Sequence, residues 1–304
     1  MKSIVKTWKS KPGEVGAAVK AAIRAGYKHI DCAHLYGNEA EVGQALTEVL
    51  KELGLKREDI FITSKLWSNG HEDVLASCQT TMKNLQLEYL DLYLVHHPCT
   101  YANGMFYPHK PEDKKNILGY DKERMSRTWK AMEELVKKGL CKAIGISNFT
   151  TVKVKALLET AEIIPATNQV ELHPFLPQPA LKKYCEKKGI ILTAYSSLGS
   201  RDRPKVDETD PILMDEPLVK EIAVKRNCSP AQVLLAWGIK YGCPVLPKSV
   251  NEGRIKQNLE TYNVRLEDED MVALANVGKK FRYLKMKIFY LEGETPEQHW
   301  DGEQ

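Results

Sequence analysis

The 304-residue chain carries 44 basic and 40 acidic residues, a formal net charge of +4, with 43% hydrophobic and 28% charged residues. This is an average globular composition, and with 19 Gly and 15 Pro it excludes a fibrous, low-complexity or mainly disordered chain. Lys and Arg are interleaved with Glu rather than gathered in a stripe, which argues against nucleic acid as a partner.

Short β-rich runs alternate with helical patterns from the start of the chain. A strand at 3–7 precedes a helix at 14–25, where Val15, Ala18, Val19, Ala22 and Ile23 share one stripe. A strand at 27–31 precedes a helix at 39–53, with Gly54 as its stop. Strands at 60–64 and 91–96 are nearly continuous in apolar and β-branched residues, as in parallel sheets covered on both faces. They flank a helix at 72–85 and are followed by one at 123–138. Strands at 143–147, 167–171 and 190–195 alternate with helices at 152–160 and 179–188, and a helix at 216–226 follows the last of these. Ser229-Pro230 reads as an N-cap and first-turn proline of a further helix. A strand at 244–248 and helices at 251–259 and 268–277 complete the series.

Eight strands alternating with helices predict a (β/α)8 TIM barrel, an α/β fold, with residues 1–304 as one domain. Two stretches break the rhythm, 99–122 and 200–215, and both follow strand C-terminal ends, where barrel active sites lie. The segment 279–304 has no partner in the alternation and is expected as a lid or a frayed tail.

The seven cysteines are widely spaced, and no CxxC occurs, so neither a disulfide scaffold nor a Cys-rich zinc site is expected. His29, His34, His71 and His173 read as surface or packing residues, and no metal is expected. The opening MKSIVKTWKSKPGE lacks the apolar run of a signal peptide, and no run of about 20 apolar residues spans a membrane. The expectation is a cytoplasmic protein without a membrane partner.

Four polar groups sit at or just beyond successive strand ends: Asp31, Tyr36, Lys65 and His96. Parallel neighbouring strands bring such positions to one barrel mouth. A Lys ammonium beside a phenol favours the phenolate and lowers a pKa that is ordinarily about 10, while a carboxylate holds the Lys charged. A neighbouring His can hydrogen-bond a carbonyl oxygen. Together they make a general acid for a developing alkoxide.

The runs DCAHLYGNE, ITSKLW, DLYLVHHP, GISNF, NQVELHPF, AYSSLGS and LPKSV follow in this order, and with them the chain resembles the aldo-keto reductases, above all the aldose and aldehyde reductase group. The resemblance implies NADPH bound without a G-x-G-x-x-G loop, and reduction of an aldehyde, aldose or ketone carbonyl to the alcohol by hydride transfer. It implies Tyr36 as proton donor with Lys65, Asp31 and His96 as its partners. Ser147, Asn148 and Gln169 match positions holding the carboxamide, and Tyr195 the residue stacked on the nicotinamide, with Ser196 beside it. Leu198, Ser200 and Asp202 match a loop over the pyrophosphate. Lys248, Ser249, Val250, Asn251, Arg254, Gln257 and Asn258 match the adenosine site, Lys248 and Arg254 pairing with the 2′-phosphate. Thr7 and Trp8 match the first strand end beside the cofactor, and Trp8, Trp67 and His97 match walls of the substrate pocket. A monomer acting on a small-molecule carbonyl is expected.

Three departures stand out. His97 takes the place of an aromatic pocket residue, making the pocket more polar. Gln257 replaces a Glu near the adenine. The usual N-terminal hairpin that plugs the barrel floor is expected to be missing, and Lys6 replaces a Gly at the cofactor mouth. Two other readings compete: a catalytically weak cofactor-binding or structural protein on the same scaffold, and a Schiff-base enzyme using Lys65.

Overall fold

A computed structural model of the chain describes residues 4–8, 13–102, 104–203 and 206–303. The strands are β1 Val5–Lys6, β2 His29–Asp31, β3 Phe61–Leu66, β4 Leu90–Val95, β5 Cys99–Tyr101, β6 Ile117–Tyr120, β7 Cys141–Ser147, β8 Thr167–Glu171 and β9 Ile191–Tyr195. Seven of them form one parallel sheet in the order β1-β2-β3-β4-β7-β8-β9. The expected eighth strand supplies a single parallel bridge, Ala194 to Val245. It nevertheless closes the cylinder. Ala194 N–H donates to Pro244 O at 2.7 Å and Leu246 N–H to Ala194 O at 3.0 Å on one side. Ile4 N–H donates to Val245 O at 3.3 Å and Lys6 N–H to Pro247 O at 3.4 Å on the other. Pro244 and Pro247 have no N–H to give, so the seam is thinly bonded. The result is the expected (β/α)8 barrel.

The surrounding helices are α1 Glu14–Arg24, α2 Glu39–Leu53, α3 Val74–Leu85, α4 Lys122–Lys137, α5 Thr151–Leu158, α6 Pro179–Lys187, α7 Pro217–Lys225, α8 Pro230–Lys240, α9 Glu252–Leu259, α10 Asp268–Ala275 and the single turn α11 Pro296–His299. Several start one or two residues away from the expected positions because a side chain caps them. Asp73, Asp121, Thr150 and Asn251 each accept a first-turn backbone N–H. Ser229 and Gln232 form a capping box ahead of α8, with Pro230 at its first turn. Apolar stripes such as Val42, Ala45, Leu46 and Val49 of α2 bury against the sheet. Gly43 lets α2 approach α3 closely: a Cβ there would meet Asn84 O at 2.6 Å. Among the described residues no helix is long and apolar enough to cross a membrane.

Two expectations about irregular segments change. Within 99–122, β5 and β6 pair as an antiparallel hairpin rather than a loop. The segment 279–303 is not frayed. Tyr283, Phe289, Tyr290 and Trp300 are buried, and Glu171 at the end of β8 receives Tyr283 N–H at 2.6 Å and Leu284 N–H at 2.9 Å. Loop 200–215 ends in a turn at Leu213–Asp215 and is tied by the Arg203–Asp210 ion pair.

Candidate active site

Parallel register places Lys6, Asp31 and Thr63 side by side across β1, β2 and β3, with Lys65 beside Leu94 on β4. The strand ends thus converge on one mouth. Buried there, Lys65 Nζ donates to Asp31 Oδ1 at 2.6 Å, to Cys32 O at 2.7 Å and to Tyr36 Oη at 3.3 Å. All three ammonium N–H groups are engaged. Gln169 Nε2 donates to the other carboxylate oxygen, Asp31 Oδ2, at 2.8 Å. Removing either member of the buried Lys65–Asp31 pair would cost about 3–5 kcal/mol, because the survivor keeps an uncompensated charge.

Tyr36 is half-buried, in the short turn His34–Tyr36 after β2. Its ring meets Trp8 edge-on at 5.0 Å and His96 at 5.9 Å. One expectation is overturned here. Tyr36 is not shifted toward phenolate. Burial first, and then the Asp31 charge, push its pKa well above the ordinary value. Desolvation and the neighbouring carboxylate both disfavour a phenolate, so the phenol keeps its proton. His96 is held uncharged by burial and by the Lys65 and Lys6 charges, and its Nδ1 is buried without a partner.

The remaining expected positions fall into three groups. Around the mouth, Thr7 Oγ1 donates to Asp31 O at 3.1 Å and Asn38 Nδ2 to Thr7 O at 2.8 Å, which fixes the β1 end against β2. Ser147 Oγ donates to Gln169 O at 2.7 Å. Asn148, with φ 67° in the left-handed region that Asn tolerates, donates from Nδ2 to His96 O at 2.8 Å and accepts from Tyr195 Oη at 2.5 Å. Asn148 and Gln169 thus brace the site itself.

In the loop beyond β9, Ser196 Oγ and Ser200 Oγ lie 2.5 Å apart, Leu198 is half-buried, and exposed Asp202 reaches Lys248 Nζ at 3.7 Å. Loop and closing segment therefore meet. Around the N-terminus of α9, Ser249 and Asn251 bond one another and Asn251 caps Arg254 N–H at 2.9 Å. Val250, Arg254 and Gln257 are exposed, and Asn258 is buried.

Lys6 lies at this mouth, as its replacement of a Gly suggested. Its Nζ sits 4.9 Å from the Tyr195 ring centre and 5.9 Å from that of Tyr36. Burial lowers its pKa to about 8, Lys65 adding to the effect against Asp31, Asp202 and Glu171. His97 does not stand open in the pocket. It is buried and stacked on Phe289 at 3.6 Å, while Trp67 packs against His96 at 5.2 Å and Phe289 at 5.6 Å. Sequence reading passed over Cys32 and Asn38, which act through a backbone carbonyl and a side-chain amide inside DCAHLYGNE. It also passed over Phe289, in a tail without periodicity.

A family model described as the aldo/keto reductase family matches residues 2–279. The chain is 42% identical over 301 residues to an aldo/keto reductase of Synechocystis sp., covering 97% of this chain and 91% of that one. It is 45% identical over 282 residues to aldo-keto reductase family 1 member A1 of Gallus gallus, covering 91% and 85%. The aldose reductase structure from Schistosoma japonicum superposes with TM-score 0.87 at 39% identity, covering 97% of this chain and 94% of that one. That from Giardia lamblia superposes at 0.86 with 38% identity, covering 95% and 96%. The chain belongs to the aldo/keto reductase family and is an oxidoreductase of carbonyl groups.

Proposed function

We propose that this protein reduces aldehydes, aldoses among them, and some ketones to alcohols with NADPH, and that Tyr36 donates the proton. One observation carries the reading: Lys65 Nζ joins Asp31 and Tyr36 Oη within 3.3 Å at the barrel mouth. A protonated phenol is the right state for a general acid. An uncharged His96 suits a hydrogen-bond donor that orients the carbonyl oxygen. As the phenol gives up its proton, the adjacent ammonium stabilises the oxyanion left behind.

The donor set suits a phosphorylated dinucleotide. Lys248 and Arg254 put two cations near the start of α9, where a phosphate dianion is favoured, and Lys248 makes a long 3.7 Å contact with exposed Asp202. Tyr195 offers an aromatic face, and Ser200 and Asp202 sit on a loop able to cover a pyrophosphate. When bound, the reduced nicotinamide supplies the hydride. We assign substrate choice to segments 99–122, 200–215 and 279–304. We take the working unit to be a monomer in the cytoplasm, with Trp8 and Trp67 as pocket walls.

A binding-only role finds no support in a site with its proton donor and ammonium this closely placed. Schiff-base chemistry is opposed by the three bonds that occupy Lys65. The test is NADPH oxidation over sugar, aromatic and aliphatic aldehydes, with NADH as control. Tyr36→Phe should lower kcat at least ~100-fold while leaving NADPH binding intact. Full activity in that variant would overturn the mechanism.

A further inference from the structure

Away from the reacting centre, three soft or borderline ligands meet under the C-terminal segment. His97 and Cys99 follow β4, and His299 comes from α11. They are 1%, 2% and 4% exposed. A ring nitrogen of each His and the Cys99 Sγ lie within 4.8 Å of one another. The two imidazoles sit with centroids 5.4 Å apart and planes inclined by 20°. Two rings on one tetrahedral ion, with bonds of about 2.1 Å, have centroids about 5 Å apart. His97 Nε2 is buried with no hydrogen-bond partner. His299 Nδ1 lies 3.3 Å from Glu294 Oε1, the carboxylate–histidine arrangement that orients a metal ligand and leaves Nε2 facing away.

We propose that His97, Cys99 and His299 form a zinc-type divalent metal site that staples the C-terminal segment to the barrel wall. Two imidazoles and one thiolate favour Zn²⁺ over hard cations and leave a fourth position open. Closing the ligands to tetrahedral spacing needs about 1 Å of movement, which the single turn of α11 can supply. Coordination through His97 Nε2 puts the ring proton on Nδ1 and gives up the 3.2 Å bond from Cys99 N–H.

At sulfur, the Cys99 S–H bond breaks, its proton leaves to solvent, and the sulfur lone pair forms the bond to the ion. No electron changes hands. A thiol is protonated at neutral pH, so one proton is released per ion and affinity rises with pH. The charges facing the cluster are Lys153 and Arg124 against Glu294 and Asp301, with His96 and His71 behind. Lys153 is paired with Asp301 at 2.5 Å. Because His97 stacks on Phe289, and Phe289 meets Trp67, an ion here would also stiffen one wall of the mouth.

The experiment is Co²⁺ titration of the full chain without cofactor or substrate, so its outcome does not depend on the proposed reduction. Expected are one equivalent bound, tetrahedral visible bands, a thiolate charge-transfer band, and displacement by Zn²⁺. Cys99→Ser should lose the charge-transfer band, and Glu294→Gln should weaken binding about tenfold by freeing His299. Glu294 lies toward the surface, so this second variant covers the case in which Cys99→Ser does not fold. Cys243→Ser, remote from the cluster, should bind as the parent does. Absence of Co²⁺ binding below millimolar concentration overturns the proposal, as does parent-like binding in both Cys99→Ser and Glu294→Gln.

Discussion

Lys6 places a titrating charge 4.9 Å from the centre of the Tyr195 ring. With a pKa of about 8, its ammonium is present below that pH and lost above it. In the proposed complex the nicotinamide ring stacks on Tyr195. That ring is cationic when oxidised and neutral when reduced, so only NADP⁺ is repelled. With solvent screening at a half-buried group, two charges about 5 Å apart repel by about 1 kcal/mol, or roughly fivefold in affinity. NADP⁺ affinity should therefore rise relative to NADPH between pH 6.5 and 9. In Lys6→Gly the ratio should be flat with pH. Fluorescence titration with both cofactors checks this, and NADPH controls for ionisation of the shared 2′-phosphate. A ratio that keeps its pH dependence in the variant would exclude Lys6 as the cause. The departure from the family's Gly was visible in the sequence. The position of Nζ over a ring from β9 was not, since it depends on the barrel closing.

One buried carboxylate ties the start of the C-terminal segment to the end of β8. Glu171 accepts Tyr283 and Leu284 N–H and lies 3.0 Å from His173 Nε2. Burial alone would raise this carboxyl. The His173 bond and charge, Arg282 and the Leu284 N–H outweigh it and hold the pKa below its ordinary value. A depressed folded-state pKa means that the stabilisation is present above the ordinary carboxylate range. It is lost as pH falls below that range and through the depressed folded value. Glu171→Gln keeps the shape but leaves one uncharged acceptor oxygen and sets an NH2 donor against the other backbone N–H. It should destabilise docking of 279–303 by about 2 kcal/mol at pH 7 and speed proteolysis there. Unchanged proteolysis would assign the anchoring to the apolar contacts of Phe289 and Trp300 instead. Strands β3 and β4 were legible because burial on both faces writes a nearly continuous run of apolar and β-branched residues. The β5–β6 hairpin was not, being short and shifted in register at Tyr101. The docked tail was not, because its partners lie more than 100 residues upstream, Glu171 for Tyr283 and Leu284 and Lys153 for Asp301.

At the scale of the whole molecule, the barrel has one thin seam. Between β9 and β1 the closing segment contributes Leu246 N–H as a donor but not Pro244 or Pro247, and its bonds to β1 are 3.3 and 3.4 Å long. The alternation of strands and helices revealed eight units, but the weakness of the eighth follows from proline chemistry and shows only once its neighbours are known. Asp31, Tyr36, Lys65 and His96 were legible as strand-end polarity one βα unit apart, while the protonation state of Tyr36 was not, because it is decided by burial. The proposed cofactor would bridge the seam: Tyr195 ends one flank, Lys248 follows the closing segment, and Thr7 and Trp8 follow the other flank. Binding should then stabilise the whole barrel rather than a loop. At a hundredfold excess over its Kd, NADPH contributes about 2.7 kcal/mol, which for a chain of this length raises Tm by about 4 °C. Hydrogen exchange at the amides of Lys6, Ala194 and Leu246 should slow in parallel. NADH, lacking the 2′-phosphate that Lys248 and Arg254 would meet, should give a smaller shift at equal concentration. A full Tm rise without protection of these three amides would place the cofactor away from the seam.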